Sequence, residues 1–253
     1  MIRIGASGWS YKEWYGTFYP RHIPQANMLK YYSLFFDTVE VNSSFYSIPD
    51  LRTVMLWNKK TDDNFVFSIK VYQGITHENR LINVSKNMLD FLERFKPLKA
   101  KGKLGAILIQ LPPRFRRNFN ILESFLRGLP DGYTYAIEFR NKSWIRAQTF
   151  KLLEKYNVAY VIVDEPLLPP IVKITSNIAY IRWHGKGNRI WYDYKYSRRE
   201  LEEWALKVNE IKDSVDVVYG YFNNHFHGNA VKDALVMKEL LGIKYSKGIE
   251  GYF

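Results

Sequence analysis

Short apolar runs rich in β-branched and aromatic residues alternate with amphipathic stretches along the whole chain. Strands are expected at residues 2–7, 38–43, 65–71, 104–111, 134–140, 158–164, 178–184 and 216–223. Helical patterns lie between them, at 28–36, 54–60, 86–95, 122–129, 145–156, 198–211 and 230–241. Met88, Leu89, Leu92 and Phe95 repeat at helical spacing, and so do Leu201, Trp204, Ala205 and Val208. Eight strands separated by helix-length segments imply parallel pairing with crossover helices. An open doubly wound sheet has the same local pattern. Eight units in 253 residues with no second domain favour closure into a single-domain TIM-type (β/α)8 barrel, which typically needs roughly 250 residues. The sixth crossover, EPLLPPIVKIT, is too rich in proline for a regular helix.

Polar residues collect at the strand ends, which in a barrel open onto the functional face. Ser7-Gly8-Trp9 ends the first strand, Glu40 and Asn42 the second, Lys70 the third and Gln110 the fourth. Glu138 and Arg140 follow on the fifth, Asp164 and Glu165 on the sixth, and Arg182 and His184 on the seventh. The eighth runs into Asn223-Asn224-His225-Phe226-His227. Residues two apart share a face. Glu40 with Asn42, Glu138 with Arg140, and Arg182 with His184 therefore point inward together. Val39, Val41, Ile137, Phe139, Ile181 and Trp183 point outward against the helices. Inward charge is costly unless it is paired or working. It forms either a functional site or a buried ion network such as Glu138 with Arg182.

Composition narrows the classes of function. Cysteine is absent, which excludes disulfides, thiolate metal sites and cysteine nucleophiles. No apolar run reaches the roughly 18 residues of a membrane span, and MIRIGASGW has neither the charged leader nor the apolar stretch of a signal peptide. A cytoplasmic protein without a membrane partner is the expectation. The net charge of +12 draws anions at long range, and an aromatic fraction of 17% supplies stacking faces. GASG and HGKG lack the spacing of a phosphate loop or dinucleotide fingerprint, and no GxSxG elbow occurs. No cofactor is assigned.

Three chemistries fit the constellation. An acid–base hydrolase would use two carboxylates from Glu40, Glu138 and Asp164, one protonated by burial and one ionised beside an arginine. Glu138 is the first choice for acid or base and His184 for proton relay. Lys70, Arg140 and Arg182 would clamp an anionic or sugar-containing small molecule, with Trp9, Asn42, Gln110, Asn223 and Asn224 completing the binding set. A metal-assisted phosphodiesterase or nuclease is the second reading, with His225 and His227 as added ligands. Inward cations would repel a metal, and none is assigned. The third is a binding barrel without chemistry. After strand seven, Lys186, Arg189, Lys195, Arg198 and Arg199 interleave with Trp191, Tyr192, Tyr194 and Tyr196, a basic-aromatic loop suited to nucleic acid. A solvated loop with its tyrosines on the barrel rim fits the same residues. Arg114, Arg116 and Arg117 after strand four extend the basic rim.

The ordered segments IGASGWSYKEWYGTFYP, FDTVEVNSSFYSIP, FVFSIKVYQGITH, LGAILIQLPPRF, AIEFRNKSW, YIRWHGKG, WYDYKYSRRELEEWA and VYGYFNNHFHGNAVKDA resemble the YecE-like family, domain of unknown function 72. The resemblance spans essentially the whole chain. It implies a TIM-type barrel and no assigned reaction. Gly8, Trp9, Glu40, Asn42, Phe45, Lys70, Gln110, Glu138, Arg140, His184, Asn223 and Asn224 match its motifs. The family often has a different residue where His227 stands, so the resemblance gives His227 no role.

Overall fold

The computed structural model describes residues 1–244. Its strands are β1 Ile2–Ala6, β2 Thr38–Val41, β3 Val66–Lys70, β4 Leu104–Gln110, β5 Tyr135–Glu138, β6 Ala159–Asp164, β7 Ile178–Trp183 and β8 Val217–Phe222. Helices α1 Met28–Phe35, α2 Ser43–Tyr46, α3 Leu51–Lys60, α4 Ser85–Glu93, α5 Lys96–Ala100, α6 Phe119–Arg127, α7 Ala147–Lys155, α8 Arg198–Ile211 and α9 Asn229–Leu240 surround them. All pairings are parallel, and the sheet runs β1-β8-β7-β6-β5-β4-β3-β2. The expected barrel is present. Seven of its strands stop one or two residues short of the expected ends, where the chain turns into the loops of the carboxyl face, and β6 ends at Asp164 as expected.

The seam between β1 and β2 closes differently from the rest. A single bridge joins Ser7 to Glu40. Below it, the Tyr32 hydroxyl of α1 accepts from the Ala6 N–H at 2.8 Å and donates to the Thr38 carbonyl at 3.1 Å. One phenol thus satisfies backbone groups that a ladder would otherwise pair. Gly5 sits at this junction, where an added Cβ would lie 2.4 Å from the Thr38 carbonyl oxygen.

The sixth crossover contains no helix: an irregular segment joins β6 to β7. Pro166, Pro169 and Pro170 prevent a continuous helix there. Thr175 ties the segment back, its hydroxyl accepting from Tyr160 N–H at 2.8 Å and donating to the Val158 carbonyl at 2.7 Å.

Period-two alternation divides the apolar side chains into two layers. Val39, Val41, Ile137, Phe139, Ile181 and Trp183 join the outer core with helical residues such as Tyr32, Leu122 and Trp204. Val66, Ala106, Leu108, Ala136, Val161, Val163, Tyr180 and Tyr221 fill the barrel itself. The Tyr221 hydroxyl meets Thr38 Oγ1 at 2.7 Å and Ser68 Oγ at 2.8 Å, so the filled interior becomes polar below the mouth. No helix among the described residues is long and apolar enough to cross a membrane.

Candidate functional site

The inward residues of the strand ends form one buried charged layer. Arg182 of β7 is its centre and is 1% exposed. Its Nη2 donates to Glu40 Oε1 at 2.7 Å, and its Nη1 donates to Glu138 Oε2 at 2.6 Å and Gln110 Oε1 at 3.2 Å. Glu40 also accepts from Ser7 Oγ and the Tyr180 hydroxyl, both at 2.7 Å. Arg140 lies nearer the opening. Its Nη1 donates to Glu138 Oε1 at 2.8 Å, and its Nη2 lies 3.1 Å from Glu165 Oε2.

This arrangement changes the roles expected from sequence. Burial opposes charge on Glu138, but Arg182, His184 and Arg140 together hold its carboxyl well below the usual carboxylate range. Glu138 is a locked anion, not the protonated member of a carboxylate pair. Arg182 is likewise no free anion clamp, because both terminal nitrogens already donate to Glu40, Glu138 and Gln110 and the side chain is 1% exposed. His184 is fully buried, and its ring is pushed down to about 4, chiefly by burial. Nε2 lies 3.1 Å from Arg140 Nη1 and 3.3 Å from Glu138 Oε1, while Nδ1 meets the Asn223 amide at 3.0 Å. With both nitrogens engaged and no surface open, His184 is placed to position Arg140 and Glu138 rather than to relay protons to solvent.

Two expected residues leave the site. Asp164 follows Tyr160 and Ile162 onto the outer face, where it accepts from Trp204 Nε1 of α8 at 3.1 Å and faces Lys186 at 3.3 Å. The inward acid of β6 is its neighbour Glu165, in phase with Val161 and Val163. Alternation alone identifies it in the sequence. Asn224 also turns away: its amide donates to the Asp233 carboxylate at 2.7 Å and the Tyr194 carbonyl at 2.9 Å, pinning the loop after β7 to α9.

Glu165 differs from the other mouth carboxylates. It is 5% exposed, and its Oε2 faces Arg140 Nη2 at 3.1 Å but accepts no hydrogen bond among the described residues. Burial pushes it up to about 7, more than Arg140 lowers it, and Glu138 adds to the rise. Lys70 is the uncommitted cation of the mouth. Its Nζ lies 4.1 Å over the Phe45 ring and makes no hydrogen bond or ion pair among the described residues. Burial and the nearby Arg182 push it down to about 8.

Aromatic rings line the opening. Trp191 lies under the Arg140 guanidinium at 5.3 Å, and Tyr192 meets His184 edge-on at 5.9 Å. Tyr11 stacks on His225 at 4.8 Å. Trp9 sits on the rim rather than in the charged layer, edge-on to Trp57 at 5.5 Å. With Tyr11, Asn42 and Tyr46 it borders a side cleft of about 300 Å3. Gly8 makes that turn at φ +97°, beneath the Tyr11 ring. Asn42 Oδ1 is buried there without a hydrogen bond among the described residues.

Three of the five basic residues of the basic-aromatic segment are ion-paired. Arg198 pairs with Glu202 and Glu239, Arg199 with Glu203, and Lys186 with Asp164 and Glu200. Tyr194 donates to Glu200 and Tyr196 is buried. Only Trp191 and Tyr192 of its aromatic residues turn to the mouth. Among the described residues no three His, Asp or Glu side chains are grouped as a metal site requires. His225 lies between Tyr11 and Phe226, and His227 is exposed beside Asp193.

A filled parallel barrel with a charged, aromatic-rimmed carboxyl face defines a TIM-barrel protein with its candidate site at the strand ends. The chain belongs to the family described as protein of unknown function DUF72, whose model matches residues 3–250. It is 31% identical over 276 aligned positions to the UPF0759 protein YunF of Bacillus subtilis (strain 168), covering 97% of this chain and 96% of that one. A DUF72 family protein from Thermotoga maritima MSB8 superposes with a TM-score of 0.87 at 33% identity, over 96% of this chain and 99% of that one. One from Enterococcus faecalis V583 gives 0.85 at 27% identity, over 97% of each chain.

Proposed function

We propose that this barrel is an acid–base hydrolase acting on an anionic or sugar-containing substrate at its carboxyl face, with Glu165 as the proton-transferring group. The observation that carries this reading is the contrast among the mouth carboxyls. Glu40 and Glu138 are locked by Arg182, while Glu165 keeps an oxygen without a hydrogen bond and is pushed up to about 7. Carboxyls whose environments separate their proton affinities divide the work of acid and anion. The protonated fraction of Lys70 would receive the anionic group, with the Arg140 charge beside it, and Trp191 and Tyr192 would face a ring.

A panel of aryl glycosides and aryl phosphate mono- and diesters tests it. Turnover of at least one class is expected, falling about 100-fold or more in Glu165→Gln. No turnover across the panel, or turnover unchanged in that variant, overturns the reading.

A further inference from the structure

The uncommitted amine of Lys70 supports a chemistry that hydrolysis does not use. We propose that Lys70 is a covalent capture site for a small aldehyde or ketone, which it holds as an imine in the mouth of the barrel.

Position is the first support. Lys70 follows Val66 and Ser68 on the inward face of β3, and Ser68 Oγ touches the Tyr221 hydroxyl inside the barrel. The side chain is therefore directed into the mouth, where it remains partly exposed. Isolation is the second. The carboxylates that would ordinarily hold a lysine here are committed elsewhere: Glu40 to Arg182, Ser7 and Tyr180, Glu138 to both arginines, and Glu165 to Arg140. Nζ rests instead on the Phe45 ring. The charged and titratable groups around it are Arg182, Glu138, Glu40, Arg140 and His77. Burial and the arginines favour the neutral amine, so a sizeable fraction is nucleophilic near pH 8. Lys103 provides the contrast. It is 2% exposed, but its Nζ donates to the Asn58 and Thr61 carbonyls at 2.9 and 2.8 Å, so its role is to cap α3.

The step balances without an oxidant. The Nζ lone pair forms a C–N bond to the carbonyl carbon, and the carbonyl oxygen gains a proton to give a carbinolamine. That hydroxyl takes a second proton from solvent and leaves as water, and nitrogen, having shed one of its two protons, remains as a protonated imine. The Arg140 charge in the same mouth favours a carbonyl compound that carries a carboxylate or phosphate.

Trapping tests this. The protein is incubated with pyruvate or glycolaldehyde and sodium cyanoborohydride from pH 6 to 10, and modified lysines are mapped by peptide mass. Lys70 should label at least about tenfold faster than surface lysines at pH 7.5, because more of it is free amine. Its labelling should rise with a midpoint near 8. Lys70→Arg should lose this adduct while keeping the parent's melting temperature. Three results overturn the proposal: no adduct at Lys70, labelling spread over lysines in proportion to exposure, or pyruvate shielding Lys70 from acetic anhydride without a reducible adduct. The last would assign Lys70 to reversible anion capture. Trapping requires no hydrolytic turnover, so its failure and that of the hydrolase reading are read separately.

Discussion

Arg182 Nη1 donates to Glu138 Oε2 at 2.6 Å across the barrel mouth, although β6 separates their strands. The bond ties together two strands that do not pair directly, and the other end of the same guanidinium reaches Glu40 on β2. Both partners of the 2.6 Å pair are essentially without solvent exposure. Removing one strands the other's charge, and the cost is then that of an uncompensated buried ion.

Glu138→Gln should therefore lower unfolding free energy by about 3–5 kcal/mol, measured by denaturant titration. Glu165→Gln, which removes a poorly compensated acid, should leave stability at pH 8 unchanged or raised. Equal losses in the two variants would contradict the division between a locked and a working carboxyl.

Glu165 and His184 should give opposite pH dependences. The folded state holds the Glu165 proton up to about 7, against an ordinary 4.5. Its contribution to stability is full below about 4.5 and is lost as pH rises through 7. His184 is pushed down from 6.5 to about 4, so its contribution is full above 6.5 and is lost as pH falls through 4. Melting temperatures from pH 4 to 8 should show Glu165→Gln flattening the first trend and His184→Asn the second.

Asp164→Asn should leave any turnover of the mouth unchanged, because its side chain faces α8. The variant should instead alter Trp204 fluorescence and weaken the contact with Lys186. A large loss of turnover at unchanged stability would return Asp164 to the site.

Tyr32→Phe should open the β1–β2 seam. It leaves the buried Ala6 N–H and Thr38 carbonyl without the hydroxyl between them, at about 1–3 kcal/mol for an unsatisfied buried group. Hydrogen exchange at the Ala6 amide should accelerate ahead of that in β4 and β5.

The sequence by itself determined the barrel, because strand and helix periodicities are local and eight alternating units in this length have few ways to cover their apolar faces. It also determined the inward phase of Glu40, Glu138, Arg140, Arg182 and His184, since alternation is a property of the extended chain. EPLLPPIVKIT announced the missing sixth helix through its prolines. Tertiary structure decided the pairing. Whether Glu138 is an acid or a locked anion depends on guanidinium groups arriving from β5 and β7, and no sequence spacing measures that distance. Asp164 and Glu165 are adjacent in the chain, yet a half-turn of β6 sends one to Trp204 and the other to the mouth. Lys70 became the uncommitted cation only because both arginines reached the carboxylates first, an outcome of three-dimensional competition for partners that one chain read in order does not contain.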